Sequence, residues 1–457
     1  MTHDPSDLAS FDRDIARASG AWRAWKSDLA LDPAARGDEE PLERWRHVAG
    51  KSLYETLAHL TPSAADVPHR DALLRAVYAL MQARITQSLD AEMARATHEK
   101  SAHAIVPVPH LASVHEAWHG VLEGATEHER RAWLDVAAER GPALASIARR
   151  RAERRVEAAY RMGFANEDAL FVVPREALVS AALALLDRTD DVAREALRDA
   201  RKRGAFGDDP PLAVDAIAIA VARDAPEGWP ARLTAQWLDA TFGLFTKGLR
   251  LEAPRILPPI GASTFARACA SFGSALRVAG ASPSLPFTLA RDPQFTAMHR
   301  FAYVFGALPA SPVFQRRVLG NGARVADAQA RVLARTALFE ARLEAVRFLT
   351  SRAPSVVPFD DLMHRLFGAA LPRALAGAWP RAFDDAPARL VALLTAPALA
   401  RDLVDRHDED WFANPRAVVH VRAIASGPAH EDPSADPAAD LAATIAPLAR
   451  IFEEACG

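Results

Sequence analysis

Apolar residues recur at intervals of three and four positions along most of the chain. The spacing is clear at Leu73, Val77 and Leu80, and a second apolar series runs through Leu333, Leu338, Leu343 and Phe348. It is the spacing of an α-helix with one buried face, so it predicts helices in both regions. No stretch of alternating apolar and polar residues indicates a series of strands. The pattern therefore predicts a mostly α-helical protein with at most a small β element.

Two segments interrupt this helical pattern. The segment 427–440 (GPAHEDPSADPAAD) is rich in proline, alanine and acidic residues, which is typical of a flexible linker. A helix is predicted after it, at about 441–454. The sequence Asp208-Asp209-Pro210-Pro211 marks a weaker boundary. We therefore predict an N-terminal helical region (1–205), a helical core (206–426), a linker (427–440) and a C-terminal helix (441–457).

Composition and charge exclude several classes of function. The chain has 457 residues and a net charge of −3, which argues against a general nucleic-acid-binding protein or one strongly attracted to membranes. Two cysteines allow no disulfide framework and no cysteine zinc cluster. No basic segment followed by an apolar run indicates a secretion signal, and the apolar runs are too short to span a bilayer. We expect a soluble, cytoplasmic protein with neither a nucleic-acid nor a membrane partner.

Residues 115–119 (HEAWH) fit the HExxH pattern of zinc metallopeptidases. On a helix, predicted here to begin near His110, His115 and His119 share one face and could bind one metal ion. Glu116 could then act as the general base, and Glu139 lies at a suitable spacing for a third ligand. The competing interpretation is a helix with a partly buried histidine, a packing tryptophan and a solvated glutamate.

A set of longer motifs resembles the family of zinc peptidases that includes oligoendopeptidase F and thimet oligopeptidase. Residues 153–164 (ERRVEAAYRMGF) resemble the E-x-A-x-x-x-G-[YF] stretch of this family. Residues 265–269 (FARAC) fall where the family often has a short strand that faces a channel. Residues 403–415 (LVDRHDEDWFANP) resemble the terminal segment of the family, although His407-Asp408 replaces its usual glycine. The resemblance implies a large multi-helical body with an internal channel.

The same order of motifs places the metal-binding helix of the family at 295–303 (FTAMHRFAY). His299 is then the first metal ligand, Arg300 replaces the glutamate that acts as general base, and Tyr303 replaces the second histidine. Leu333 stands where the third ligand, a glutamate, would fall. One histidine without a carboxylate cannot hold zinc tightly, and an arginine repels a divalent cation and cannot take a proton from water. The resemblance therefore implies that the zinc site of the family has eroded.

Three interpretations follow from these motifs. The first, which we favour because several motifs occur in the order found in the family, is a metallopeptidase-like scaffold without zinc, other cofactor or catalysis that binds a peptide or protein. The second is an active zinc peptidase that uses His115, Glu116 and His119. The third is a helical interaction protein unrelated to peptidases.

Overall fold

In the computed structural model the described residues are 8–33, 40–123, 126–200, 235–251, 262–291, 295–379, 385–429 and 437–456. They contain sixteen α-helices. The first eight are α1 (Leu8–Leu31), α2 (Lys51–His59), α3 (Val67–His98), α4 (Val114–Glu123), α5 (Glu127–Arg161), α6 (Arg175–Ala200), α7 (Ala235–Thr246) and α8 (Ala262–Gly280). The others are α9 (Phe287–Ala290), α10 (Thr296–Ala307), α11 (Pro312–Arg317), α12 (Ala323–Arg352), α13 (Phe359–Phe367), α14 (Ala386–His407), α15 (Pro415–Ser426) and α16 (Pro437–Cys456).

The prediction of a mostly α-helical protein is confirmed. Among the described residues the β structure is one antiparallel pair, β1 (Ser101–Ala102) with β2 (Leu111–Ala112). The two regions with apolar spacing are the long helices α3 and α12, and the predicted last helix is α16. No helix in the described ranges has the length and apolar character that a membrane span requires.

The expectation of a short strand at 265–269 is wrong. These residues belong to α8, where Phe265 and Cys269 lie one helical turn apart and are both fully buried. Residues four positions apart share one face in a helix and in a strand alike, so the spacing of these two apolar residues does not by itself distinguish the two structures. Ala266 and Ala268 favour the helix, because alanine has the highest helix propensity.

The chain forms two compact units. Unit 1 comprises 1–175, 284–294 and 371–380, and unit 2 comprises 176–283, 295–370 and 381–457. The predicted boundary between 205 and 206 lies outside the described residues, as do residues 430–436 of the predicted linker. The division of the sequence into four parts stays a prediction.

The core of unit 1 lies between α1, α2 and α3. Fully or almost fully buried apolar side chains from these helices form it, among them Ile15, Leu57, Leu73 and Val77. Helix α5 follows α4 and begins at a capping box, in which Thr126 Oγ1 accepts from the backbone N–H of Glu129 and Glu129 Oε2 accepts from the backbone N–H of Thr126.

A close backbone contact joins α5 to the short 3₁₀-helix Arg373–Gly377 within unit 1. A Cβ atom added to Gly141 would lie 1.6 Å from the carbonyl oxygen of Ala374. Gly377 faces the same contact from the other side, 1.7 Å from the carbonyl oxygen of Gly141 when a Cβ is added. The two backbones can therefore approach only because both positions are glycine.

The core of unit 2 is rich in aromatic rings. Phe242 stacks on Phe272 with ring centroids 4.5 Å apart, and Phe305 meets Trp411 edge-on at 5.5 Å. Helix α12 is attached to α6 by Arg342, whose side chain is 1% exposed. Buried aromatic and paired polar contacts of this kind hold the helices of unit 2 in fixed positions, and α10, α12 and α14 are among those helices.

Arg342 makes this attachment through its guanidinium group, which donates hydrogen bonds to four oxygen atoms. Its Nη1 donates to the carbonyl oxygen of Leu186 at 3.0 Å and to Thr189 Oγ1 at 2.6 Å. Its Nη2 pairs with Asp190 Oδ1 at 2.7 Å and also donates to the carbonyl oxygen of Arg365. These bonds pair the charge of the buried guanidinium and satisfy its Nη1 and Nη2 groups, whereas its Nε has no hydrogen-bond partner.

Candidate functional site

Helix α10 carries three of the four residues that the family resemblance singles out. His299 and Tyr303 are four residues apart and therefore share one face of the helix. The ring of His299 is buried, and its Nε2 lies 3.0 Å from Oδ2 of Asp385, the N-cap residue of α14. Because a carboxylate can only accept, the proton of this hydrogen bond belongs to His299 Nε2.

Asp385 is held ionised by its partners. Its Oδ2 also accepts from Nε of Arg389 at 2.9 Å. Burial on its own raises the pKa of Asp385, but the hydrogen bond from His299 and the charge of Arg389 outweigh it and lower this pKa to about 2. The carboxylate is therefore negative throughout the neutral range and fixes the orientation of the His299 ring.

The ion pairs continue from Asp385 to Glu344 on α12. Arg389 Nη1 lies 3.6 Å from Glu344 Oε1, and Arg347 Nη1 donates to the same oxygen at 3.2 Å. The side chain of Glu344 is only 9% exposed. Its second oxygen, Oε2, is buried and has no hydrogen-bond partner. The network thus links α10, α14 and α12 and ends at an unsatisfied carboxylate oxygen.

Tyr303 and Glu340 lie in the electrostatic field of Glu344. Burial raises the pKa of the Tyr303 phenol, and the negative charge of Glu344 raises it further, well above its ordinary range. Burial likewise raises the pKa of Glu340, one helical turn before Glu344, although Arg267 at 3.8 Å opposes the shift. The Glu340 side chain is 38% exposed, so the group can be reached from solvent.

The residues at the family's metal positions do not fit a zinc ion. Nε2 of His299 is protonated and donates its hydrogen bond to Asp385, and Arg300 donates from Nε to Thr395 Oγ1 at 3.1 Å. Tyr303 holds its proton because its pKa is raised, and Leu333 is a buried apolar residue of α12. Zinc needs three or four deprotonated ligands together, and these four positions supply one histidine.

The HExxH motif lies in unit 1, on α4. The helix begins at Val114 and not near His110 as expected, because Ser113 caps it. Ser113 Oγ accepts from the backbone N–H of Glu116 at 3.1 Å, and Glu116 Oε2 accepts from the backbone N–H of Ser113 at 2.9 Å. This reciprocal pair is a capping box. The residues before Ser113 belong to the β pair or flank it, and there the N–H of His103 donates to the carbonyl oxygen of His110 at 3.0 Å.

Both carboxylate oxygens of Glu116 are therefore engaged. Oε1 lies 2.6 Å from Lys100 Nζ, and Oε2 is held by Ser113. Burial raises the pKa of Glu116, but the hydrogen bonds from Lys100 and Ser113 more than offset this and hold it below its ordinary value. A carboxylate with a lowered pKa is a weak base, so this environment opposes the role of general base.

The structure brings His115 and His119 together and adds a third histidine that the sequence motif does not contain. The rings of His115 and His119 are 4.8 Å apart between centroids, and His98 at the end of α3 stacks on His115 at 4.5 Å. Partial burial lowers the pKa of His115, and charge on His98 or His119 lowers it further. This favours the neutral ring of His115.

Glu139 is exposed on α5. In the part of the chain that the structure describes, no three or more histidine, cysteine, aspartate or glutamate side chains are arranged to hold a metal ion. The ligand set His115, His119 and Glu139 is thus not assembled in this conformation. Its role in zinc binding stays a prediction.

Comparison with known proteins identifies the fold. No protein-family model and no curated protein sequence matches the chain. The structure matches a crystal structure from Bacillus anthracis str. Ames of a protein assigned as an oligoendopeptidase F, with a TM-score of 0.55. The match covers 92% of this chain and 84% of that chain, at 12% sequence identity. The chain has an oligoendopeptidase F-like fold. At this identity the likeness concerns the fold alone, so the role of each residue rests on the geometry given above.

Proposed function

We propose that this chain is a peptidase-like scaffold that binds a peptide or protein and neither holds zinc nor hydrolyses its ligand. The observation that carries the proposal is the network around His299. The histidine that would be the first zinc ligand is hydrogen-bonded to Asp385 instead. Arg300, Tyr303 and Leu333 occupy the other positions with side chains that do not ligate zinc or activate water.

The peptide as ligand is supported by the fold and by the chemistry of the network. The chain shares its fold with a protein assigned as an oligoendopeptidase F, an enzyme class that acts on peptides. The ion-pair network contains a buried carboxylate oxygen without a partner, which a hydrogen-bond donor of a ligand would satisfy. We expect no nucleic-acid or membrane partner and a cytoplasmic location, and these expectations stay predictions.

The second candidate is an active zinc peptidase at the HExxH motif. It is favoured by one observation, the contact of His115 with both His119 and His98. It is opposed by the position of Glu116, whose carboxylate caps α4 and pairs with Lys100. In this candidate His115 and His119 would hold zinc, the only cofactor, which would supply a polarised water, and Glu116 would be the general base.

A binding and cleavage assay on one peptide mixture separates the two candidates. The wild-type protein is incubated with a mixture of unmodified peptides, bound peptides are recovered by size-exclusion chromatography, and cleavage is followed by mass spectrometry. We expect bound, intact peptides and no products. Cleavage that is lost in Glu116→Gln, with His128→Gln as a control for another histidine-bearing helix of unit 1, would establish the second candidate instead. A protein that neither binds nor cleaves peptides would favour a helical interaction protein that uses this fold for another kind of partner.

A further inference from the structure

The ion-pair network of unit 2 leaves one strong acceptor without a donor. Glu344 Oε1 receives Arg347 at 3.2 Å and lies 3.6 Å from Arg389, whereas Oε2 is buried and unpartnered. Buried carboxylate oxygens in folded proteins almost always have hydrogen-bond partners. An unsatisfied oxygen on a side chain that is 91% buried is therefore a position prepared for a donor from outside the chain.

The field around this oxygen favours a positive donor. The charge of each of two arginines of the network is already matched, because Arg389 pairs with Asp385 and Arg347 pairs with Glu344. Glu340 adds a further carboxylate, and its partner Arg267 is 62% exposed and 3.8 Å away, so that pair is weak.

The two side chains beside Glu344 are partly exposed to solvent. Tyr303 is only partly buried, and 38% of the Glu340 side chain is exposed. Both belong to helices of unit 2, α10 and α12, that also carry the rest of the network. The ion pairs of Glu344 are made by Oε1, so a ligand group that reaches Oε2 from the side of Tyr303 and Glu340 displaces none of them.

We propose that Glu344, with Glu340 and Tyr303 beside it, binds a primary ammonium group of the ligand. This inference rests on the proposed function, since it names the chemical group by which a bound peptide is recognised. An ammonium has three donors, which match Glu344 Oε2, the Glu340 carboxylate and the Tyr303 hydroxyl oxygen. Two sources supply this group in peptides, the amino terminus and the side chain of lysine.

The test uses three peptide mixtures and the full-length protein. The first mixture has free amino termini and no lysine, the second is the same mixture after N-acetylation, and the third is N-acetylated with one lysine in each peptide. Binding is measured by competition against a fluorescent peptide selected from the first or third mixture. The altered protein is Glu344→Gln, which keeps the shape and an acceptor but removes the charge. The control is Glu453→Gln, at an exposed position of α16 in the same unit.

We expect wild-type protein to bind the first or the third mixture at least tenfold more tightly than the second. Preference for the first assigns the amino terminus as the ligand group, and preference for the third assigns lysine. Glu344→Gln should remove this preference and Glu453→Gln should retain it. Circular dichroism checks that both altered proteins fold, and the comparison among mixtures on wild-type protein stands even if Glu344→Gln does not fold.

Two results would overturn the inference, and they differ in what else they remove. Equal binding of all three mixtures, or a preference that persists in Glu344→Gln, excludes the ammonium site while peptide binding survives. No binding of any mixture excludes the proposed function and this inference together.

Discussion

Removal of the charge of Asp385 gives the most quantitative prediction about the network. The pKa of this carboxyl falls from an ordinary value of 3.8 to about 2 in the folded protein. A difference of about 1.8 units at 1.36 kcal/mol per unit corresponds to about 2.5 kcal/mol of stability at neutral pH. Asparagine keeps the size and one acceptor oxygen, so this value is an upper limit. We expect Asp385→Asn to lower the free energy of unfolding by about 2 kcal/mol at pH 7.

The pH dependence has a definite sign. The pKa of Asp385 is lower in the folded than in the unfolded chain, so its contribution is complete above about pH 4 and is lost as the pH falls through about 2. The difference in free energy of unfolding between wild type and Asp385→Asn should therefore shrink as the pH falls from about 4 to about 2, with about half of it gone at pH 3. Urea unfolding followed by circular dichroism between pH 7 and pH 3 measures the difference.

A control in the same helix isolates the network. Asp405 is exposed on α14, and we expect Asp405→Asn to change the free energy of unfolding by less than about 0.5 kcal/mol. The reasoning would be refuted if Asp385→Asn were as stable as wild type at pH 7. It would also be refuted if the difference between the two proteins stayed constant down to pH 3.

Three further predictions concern the architecture. Gly141→Ala should destabilise unit 1 by about 2 kcal/mol or more in thermal unfolding, because its Cβ would meet a carbonyl oxygen at 1.6 Å, whereas Gly20→Ala in α1, with nothing within 4 Å, should be neutral or stabilising. Arg342→Met should cost about 3 kcal/mol in urea unfolding, since it removes the buried donor to Leu186 and Asp190, and an unchanged midpoint would contradict the role given to that residue. Cys269 is fully buried and its pKa is raised by burial, so it should react with a thiol reagent only after denaturation.

The helices could be predicted from the sequence because their signal is local. Apolar residues at Leu73, Val77 and Leu80 lie on one face of α3, and all three are buried. The same holds for Leu338 in α12. Periodicity of this kind needs no knowledge of which helix packs against which, so a single sequence is sufficient.

The partners of charged residues could not be predicted in this way. From its spacing alone, the arginine-rich run at 149–155, with Glu153 and Glu157 interspersed, predicts a solvated face with pairs inside the helix. Instead Arg151 pairs with Asp90 on α3 at 2.7 Å, and Arg155 is buried against Glu167 at 3.0 Å. These partners are distant or lie beyond the helix, and no spacing within α5 indicates them.

The HExxH motif shows how one pattern can fit two structures. The residues Ser113-Val114-His115-Glu116 also match the S-x-x-E pattern of a capping box, and the hydrogen bonds between Ser113 and Glu116 follow it. That pattern was available in the sequence. His98 was not, because it reaches His115 from α3 and no motif joins the two.

The eroded zinc site illustrates the opposite case. The sequence drew attention to His299, Arg300 and Tyr303 through the order of motifs along the chain. It gave no indication that Asp385 and Glu344 stand beside them, since these lie on other helices at long separations. The site could therefore be located from the sequence, but its chemistry required the structure.

Elemental analysis of purified protein washed with a chelator tests the central claim most directly. It is carried out on wild type, His299→Ala and His115→Ala, with zinc added back and excess removed. The account predicts much less than one zinc ion per chain in all three proteins. One zinc per chain in wild type that is lost in His299→Ala would contradict the assignment of an eroded site. One zinc per chain that is lost in His115→Ala would place an active metal centre at the HExxH motif.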